Sequence, residues 1–199
     1  RILHFLIYRA ESREMQKLAA EAAWSIRIRE AIRSNRMEIW LQPILPLSAA
    51  QPRVYFEVLL RMLGPDGSVV LPGEFLPAAE RFGNMLQLDR FALKESVALM
   101  AEHRQFNLSI NLSARSLKED DLPKVIHKLL ADALVDPQRV AFEVTETTLI
   151  EDLVQARKLL LEIREFGCRV FLDDFGSVAS SMTYLRYLPV DVLKIDGSL

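Results

Sequence analysis

The sequence predicts an α/β fold built on a largely parallel sheet, closed as a barrel or doubly wound. Three observations carry that expectation. From residue 53 onward, short runs rich in Val, Ile and Phe alternate with amphipathic segments of helical length. The first two runs, 38–45 and 53–61, are joined by a link too short for a parallel crossover, so they should pair antiparallel. Finally, most of the runs have one continuous apolar face and one face that turns polar toward its C-terminal end.

Residues 1–36 read as helical and basic, with eight Lys/Arg against four Asp/Glu, a balance that a solvated helix face accounts for. Residues 1–24 are read as a linker helix or the tail of an upstream domain, and 25–199 as the main domain. Residues 38–45 (EIWLQPIL) and 53–61 (RVYFEVLLR) form strands one and two. Pro65-Asp66-Gly67 is a turn signal. Residues 73–82 form a short helix ended by Gly83. Asn84 caps a longer helix to residue 103, with Leu88, Phe91, Ala92 and Leu99 toward the core. Residues 107–113 (NLSINLS) form strand three. Asp121 and Pro123 open a helix to residue 133, followed by a turn over 135–138. Residues 139–145 (RVAFEVT) form strand four, and 149–166 a single helix stopped by Gly167. Strand five is 169–174, a short helix covers 180–188, and 191–196 (DVLKID) is strand six.

At 199 residues, half of them apolar, the chain can bury a sizeable core. A net charge of −2 gives no electrostatic case for a nucleic acid polymer or an anionic membrane. The single cysteine, Cys168, excludes an internal disulfide framework and suits a reducing compartment. The early apolar run at residues 2–8 is far shorter than the ~20 residues of a membrane span. The sequence contains no G-x-G-x-x-G fingerprint, which argues against dinucleotide binding.

Alternation assigns the faces. Val54, Phe56, Val58 and Leu60 oppose Tyr55, Glu57, Leu59 and Arg61. Leu108, Ile110 and Leu112 oppose Ser109, Asn111 and Ser113. Val140, Phe142 and Val144 oppose Ala141, Glu143 and Thr145, and Leu193 and Ile195 oppose Val192, Lys194 and Asp196. In a β/α barrel the apolar face packs under the helices and catalytic groups gather at the C-terminal mouth. That places Glu57, Asn111, Glu143, Asp173 or Asp174, and Lys194 together. An isolated pair of aspartates is most simply a loop start with one Asp capping a helix. Agreement of five strands is what argues for a site.

Two Glu, an Asn amide oxygen and one or two Asp form an all-oxygen set, suited to Mg²⁺ or Mn²⁺ rather than structural Zn²⁺. Adjacent Asp173 and Asp174 could serve two ions ~3.5–4 Å apart. Lys194 would orient water or steady charge, and Arg61 suits a phosphate oxygen. Together they point to phosphoester chemistry. A two-carboxylate sugar hydrolase is the competing class, but it leaves the Asn–Asp–Asp–Lys grouping unexplained. His4, His103 and His127 fall outside the motifs and read as surface or packing residues.

In order along residues 25–199 stand Leu41-Gln42-Pro43-Ile44, Glu57-x-Leu59-x-Arg61, residues 72–80 (PGEFLPAAE), Asn111-Leu112-Ser113, Glu143-Val144-Thr145-Glu146, Asp173-Asp174-Phe175-Gly176 and Lys194-Ile195-Asp196. With these motifs the chain resembles the EAL-type cyclic di-GMP phosphodiesterase domains of bacterial signalling proteins. The resemblance implies a TIM-like β/α barrel with an antiparallel first strand, truncated here after the sixth strand. It implies Glu57, Asn111, Glu143, Asp173 and Asp174 as ligands of Mg²⁺ or Mn²⁺, two ions in all. Lys194 would assist the attacking water and Glu146 would support the loop after strand five. Gln42, Leu59, Arg61 and Asp196 would contact cyclic di-GMP. The implied reaction opens one phosphodiester to give linear pGpG. It also implies a homodimer, an upstream sensor or cyclase-like domain, and a cytoplasmic site of action, with the parent protein free to be membrane-tethered. The alternative is a degenerate EAL domain acting as a non-catalytic cyclic di-GMP receptor or protein-interaction module.

Three departures from the family pattern matter. Val58 replaces the signature Ala but faces away from the site, so only packing should change. Val178 and Ala179 stand where the family has a Gly and an aromatic, and Val does not readily take positive φ. Strands seven and eight, with a further catalytic Glu and a substrate-contacting Gln, do not follow strand six in this sequence.

Overall fold

The structure, a computed structural model, describes residues 13–47, 53–176 and 182–197. Its elements follow the expected alternation. Helix α1 (Arg13–Arg33) leads into β1 (Met37–Ile44) and β2 (Tyr55–Leu63). A two-residue strand, β3 (Val69–Val70), precedes α2 (Pro72–Arg81) and α3 (Met85–Glu102). Then come β4 (Leu108–Asn111), α4 (Leu122–Asp132), β5 (Val140–Thr145), α5 (Glu146–Glu151), α6 (Leu153–Glu165), β6 (Arg169–Phe175) and β7 (Val192–Ile195). Short 3₁₀ segments occupy Ser116–Lys118, Pro137–Arg139 and Met182–Tyr187.

The strands form one sheet in the order β1-β2-β4-β5-β6-β7, with β3 paired to β2. From β2 through β4, β5 and β6 to β7 every pairing is parallel. The Leu63 N–H donates to the Arg36 carbonyl at 2.7 Å, so the end of β2 meets the start of β1, as the short link demands of an antiparallel pair. The fold is therefore a mixed α/β one with a parallel-dominated sheet, and the sheet is not closed.

The chain divides into two compact units. The smaller takes residues up to Glu38 together with Arg61–Asn84. Within it α1 packs on α2, the Arg81 guanidinium meets Glu21 at 2.7 Å, and the buried Ser25 hydroxyl donates to Asn84 at 2.6 Å. The turn signal at Pro65-Asp66-Gly67 closes a hairpin, with Met62 opposite Val70 and Leu63 opposite Val69. A strand of two residues is too short to show alternation, which is why the sequence showed only the turn.

The larger unit, Ile39–Leu60 with Met85–Leu199, holds the main core. Its helix-side face is built from Val58, Leu108, Ile110, Val140, Phe142, Val144, Val170 and Leu172, packed against Leu93, Val97, Ile126, Leu130, Leu159, Leu160 and Ile163. The opposite face carries a smaller apolar cluster of Tyr55, Ala141 and Phe171, with Ile44 and Val192 beside it. Alternation thus sorted the faces correctly, Val58 included. Cys168 is a buried packing residue, its thiol pushed up to about 12 by burial. His103 and His127 pack against Phe106 and Phe166; His4 lies outside the described residues.

Two local expectations need correction. Residues 149–166 are not one helix. Thr145 caps α5 immediately after β5, its hydroxyl accepting from the Thr148 N–H, and the chain then breaks at Asp152 (φ −150°). The Asp152 carboxylate accepts from the Gln155 N–H and starts α6 afresh. A periodic apolar stripe runs through both helices, so the break is invisible to periodicity and shows only as a cap residue. The second correction concerns β6. Leu172 pairs with Leu193 and Phe175 with Ile195, three steps on β6 against two on β7. One extra residue therefore bulges from β6 at the aspartate pair, and Asp174 takes φ +54°. In an unbroken strand Asp174 would share the face of Leu172, inside the helix-side core. The bulge instead returns Phe175 to that core and leaves Asp174 exposed.

Candidate active site

The polar ends of β2, β4, β5, β6 and β7 converge in the larger unit. At the centre is the Lys194 ammonium on β7. Its Nζ lies 2.6 Å from Glu143 Oε2, 2.9 Å from Glu57 Oε2 and 3.1 Å from Asp173 Oδ2. Parallel register staggers this meeting: Glu57 pairs with Ser109, two residues before Asn111; Asn111 pairs with Glu143; and Thr145, two residues beyond Glu143, pairs with Asp173, so the polar residues step along the strand direction across the sheet. Asn111 Nδ2 faces Glu57 Oε1 at 3.4 Å.

The site is graded in burial. The Glu143 side chain is fully buried, whereas Glu57, Asp173 and Lys194 keep about a fifth of theirs exposed (18%, 21% and 23%). Burial pushes the Glu143 carboxyl above its usual range, against the opposing hydrogen bond from Lys194. Burial alone would lower Lys194, but its hydrogen bonds to Glu143 and Glu57 outweigh it and raise the ammonium pKa, so the lysine stays charged. Asp174 is raised by partial burial and by the neighbouring charges of Asp173 and Asp196.

One carboxylate oxygen from each of Glu57, Glu143 and Asp173 lies within 4.8 Å of the others, a spacing at which one cation can touch all three. The buried Glu143 Oε1 has no hydrogen-bond partner among the described residues. An orphaned buried carboxylate oxygen beside two more carboxylates fits a hard cation. Asp174 is not among these three. Glu146, at the start of α5, is buried, and its Oε2 accepts from the Gly176 N–H at 2.9 Å, directly after the aspartate pair. Gln42 is exposed on β1, Leu59 half-buried on β2, and Asp196 half-buried just after β7. Arg61 belongs to the smaller unit. Val178 and Ala179 lie outside the described residues.

Residues 26–199 match the EAL domain family. The chain belongs to that family. It is similar to the cyclic di-GMP phosphodiesterase PdeB of Shewanella oneidensis, 36% identical over 195 residues, which cover 96% of this chain and 23% of that protein. Among solved structures it is similar to the FimX EAL domain of Pseudomonas aeruginosa bound to cyclic di-GMP, with a TM-score of 0.83 and 31% identity over 88% of this chain and 72% of that one. It is also similar to the MucR phosphodiesterase of the same organism in its cyclic di-GMP complex, with a TM-score of 0.78 and 30% identity over 87% of this chain and 72% of that one. The chain spans about a quarter of the length of the curated relatives it matches. No helix among the described residues is long and apolar enough to cross a membrane.

One polar contact beside the EAL site went unread in the sequence. Asp89 on α3 is buried and accepts three hydrogen bonds from the segment after β4. Its signal was present: an acid inside the buried stripe formed by Leu88, Ala92, Leu93 and Val97 calls for partners.

Proposed function

We propose that this EAL domain hydrolyses cyclic di-GMP to linear pGpG with Mg²⁺ or Mn²⁺, most simply two ions. The supporting observation is the convergence of Glu57, Glu143 and Asp173 around Lys194, with an orphaned Glu143 oxygen left over. Glu57, Asn111, Glu143 and Asp173 would hold the first ion, with Asp174 bearing on the second. A metal held by these residues would supply Lewis-acid stabilisation of charge on the phosphate. Lys194, whose ammonium lies against Glu57, Glu143 and Asp173, would assist the attacking water at the reacting centre. Glu146 holds the Gly176 N–H and so supports the backbone leaving the aspartate pair. Gln42, Leu59, Arg61 and Asp196 would contact the nucleotide. The parent protein would add an upstream sensor or cyclase-like domain before about residue 25, act in the cytoplasm and dimerise.

The alternative is a non-catalytic receptor of cyclic di-GMP. The FimX EAL domain and the MucR phosphodiesterase are both seen with cyclic di-GMP bound, so binding by itself does not separate a receptor from an enzyme. Hydrolysis by the full-length parent decides between the two. Wild type should produce pGpG only with Mg²⁺ or Mn²⁺, and Glu57→Ala should lose turnover by about a thousandfold or more while staying folded. Retained cyclic di-GMP binding with no turnover in wild type would overturn the enzyme reading in favour of a receptor. Turnover that survives a chelator would return the sugar-hydrolase class.

A further inference from the structure

We propose that Asp89 is a positioning residue for Asn111, its buried carboxylate fixing the turn that ends β4 and so aiming the Asn111 amide at Glu57. The inference rests on the reading of Asn111 as a ligand. Asp89 Oδ2 accepts from the Ser113 N–H at 3.0 Å, from the Ser113 hydroxyl at 2.5 Å and from the Ser116 hydroxyl at 2.6 Å. On the other side, the Leu112 N–H donates to the Glu143 carbonyl at 2.8 Å. Asn111 is the last residue of β4. Beyond it, one backbone N–H is tied to the sheet and the next to α3, so the residue is clamped between two fixed points. Such a clamp matters because the Asn111 side chain has little else to hold it. It is exposed, and its contact to Glu57 is long, at 3.4 Å. A short carboxamide on a strand end reaches its target only if its Cα is set correctly, and outer residues of this kind set ligand geometry in metal sites generally.

The test uses Mn²⁺ as probe on the 199-residue chain, with free ion followed by electron paramagnetic resonance and folding checked by circular dichroism. Asp89→Ala should weaken Mn²⁺ binding about tenfold. Asp89→Asn, which keeps an acceptor oxygen, should restore it to within about threefold of wild type. Without metal, the Asn111 side-chain amide resonance should move in Asp89→Ala and not in Asp89→Asn, a change that loss of global stability alone does not produce. Wild-type Mn²⁺ affinity in folded Asp89→Ala overturns the proposal and leaves the metal site standing. If that variant does not fold, Asp89→Leu, which fills a similar volume without an acceptor, replaces it, and unchanged affinity there overturns the proposal equally. Absence of Mn²⁺ binding by wild type overturns both this inference and the metal-dependent function.

Discussion

Strands β5 and β7 each lend one residue to the same 2.6 Å ion pair, yet they are built in opposite ways. Every residue of β5 from Val140 to Val144 is buried, and the strand has a parallel neighbour on both sides. On β7 no residue is fully buried, β6 is its neighbour in the sheet order, and Leu193 and Ile195 are 44% and 70% exposed. Glu143 is therefore placed by packing, which would hold its backbone whatever its side chain carried. Lys194 is placed by the pairing of β7 with β6 and by the acids around its ammonium. One half of the site is a product of the core, and the other half depends on charge.

Substitutions that remove packing or charge separately should expose this contrast. The largest effect belongs to β5: Phe142→Ala, in the fully buried centre of the core, should cost ~3–5 kcal/mol in urea unfolding. Next comes Lys194→Met, which leaves three carboxylates facing one another. It should cost on the order of 2 kcal/mol at neutral pH, and Mn²⁺ should raise the melting temperature of this variant more than that of wild type. The sign follows from the raised lysine pKa. Its contribution is fully present below the free value of 10.5 and is lost only as the pH climbs through the higher folded value. Asp89 tests the acid side. Its pKa is raised by burial, so its stabilisation is complete below the free value of 3.8 and fades as the pH rises through the folded value. Asp89→Asn should flatten the fall of stability with pH in that window, and an unchanged slope would show that Asp89 does not titrate there. The smallest effect should be Leu193→Ala on β7, within about 0.5 kcal/mol. A loss there approaching that of Phe142→Ala would erase the contrast between the two strands.

Most of the sheet was legible because side-chain direction alternates with a period of two and the helix-side face is apolar without interruption. Alternation alone groups Glu57, Asn111, Glu143, Asp173 or Asp174, and Lys194, and leaves the choice between the two aspartates open. What escaped was local and polar. The bulge at Asp174 depends on register against β7, which no single strand encodes. The break at Asp152 hides inside a continuous apolar period. Asp89 stood in plain view within a buried stripe, but its partners lie 24 and 27 residues away in the sequence. Hydrophobic pattern reports which face is inward, and hydrogen-bond partners across the fold are a separate kind of information.

The ammonium of Lys194 is a cation the chain supplies to its own acidic cluster. Being tied to the chain, it is set among the acids by the pairing of β7 with β6. The three carboxylates thus bring their own counter-charge into the folded state. In a zinc finger the ion must arrive for the chain to fold. Here the chain itself carries a counter-charge for the three carboxylates, and a cation bound among them would share them with Lys194.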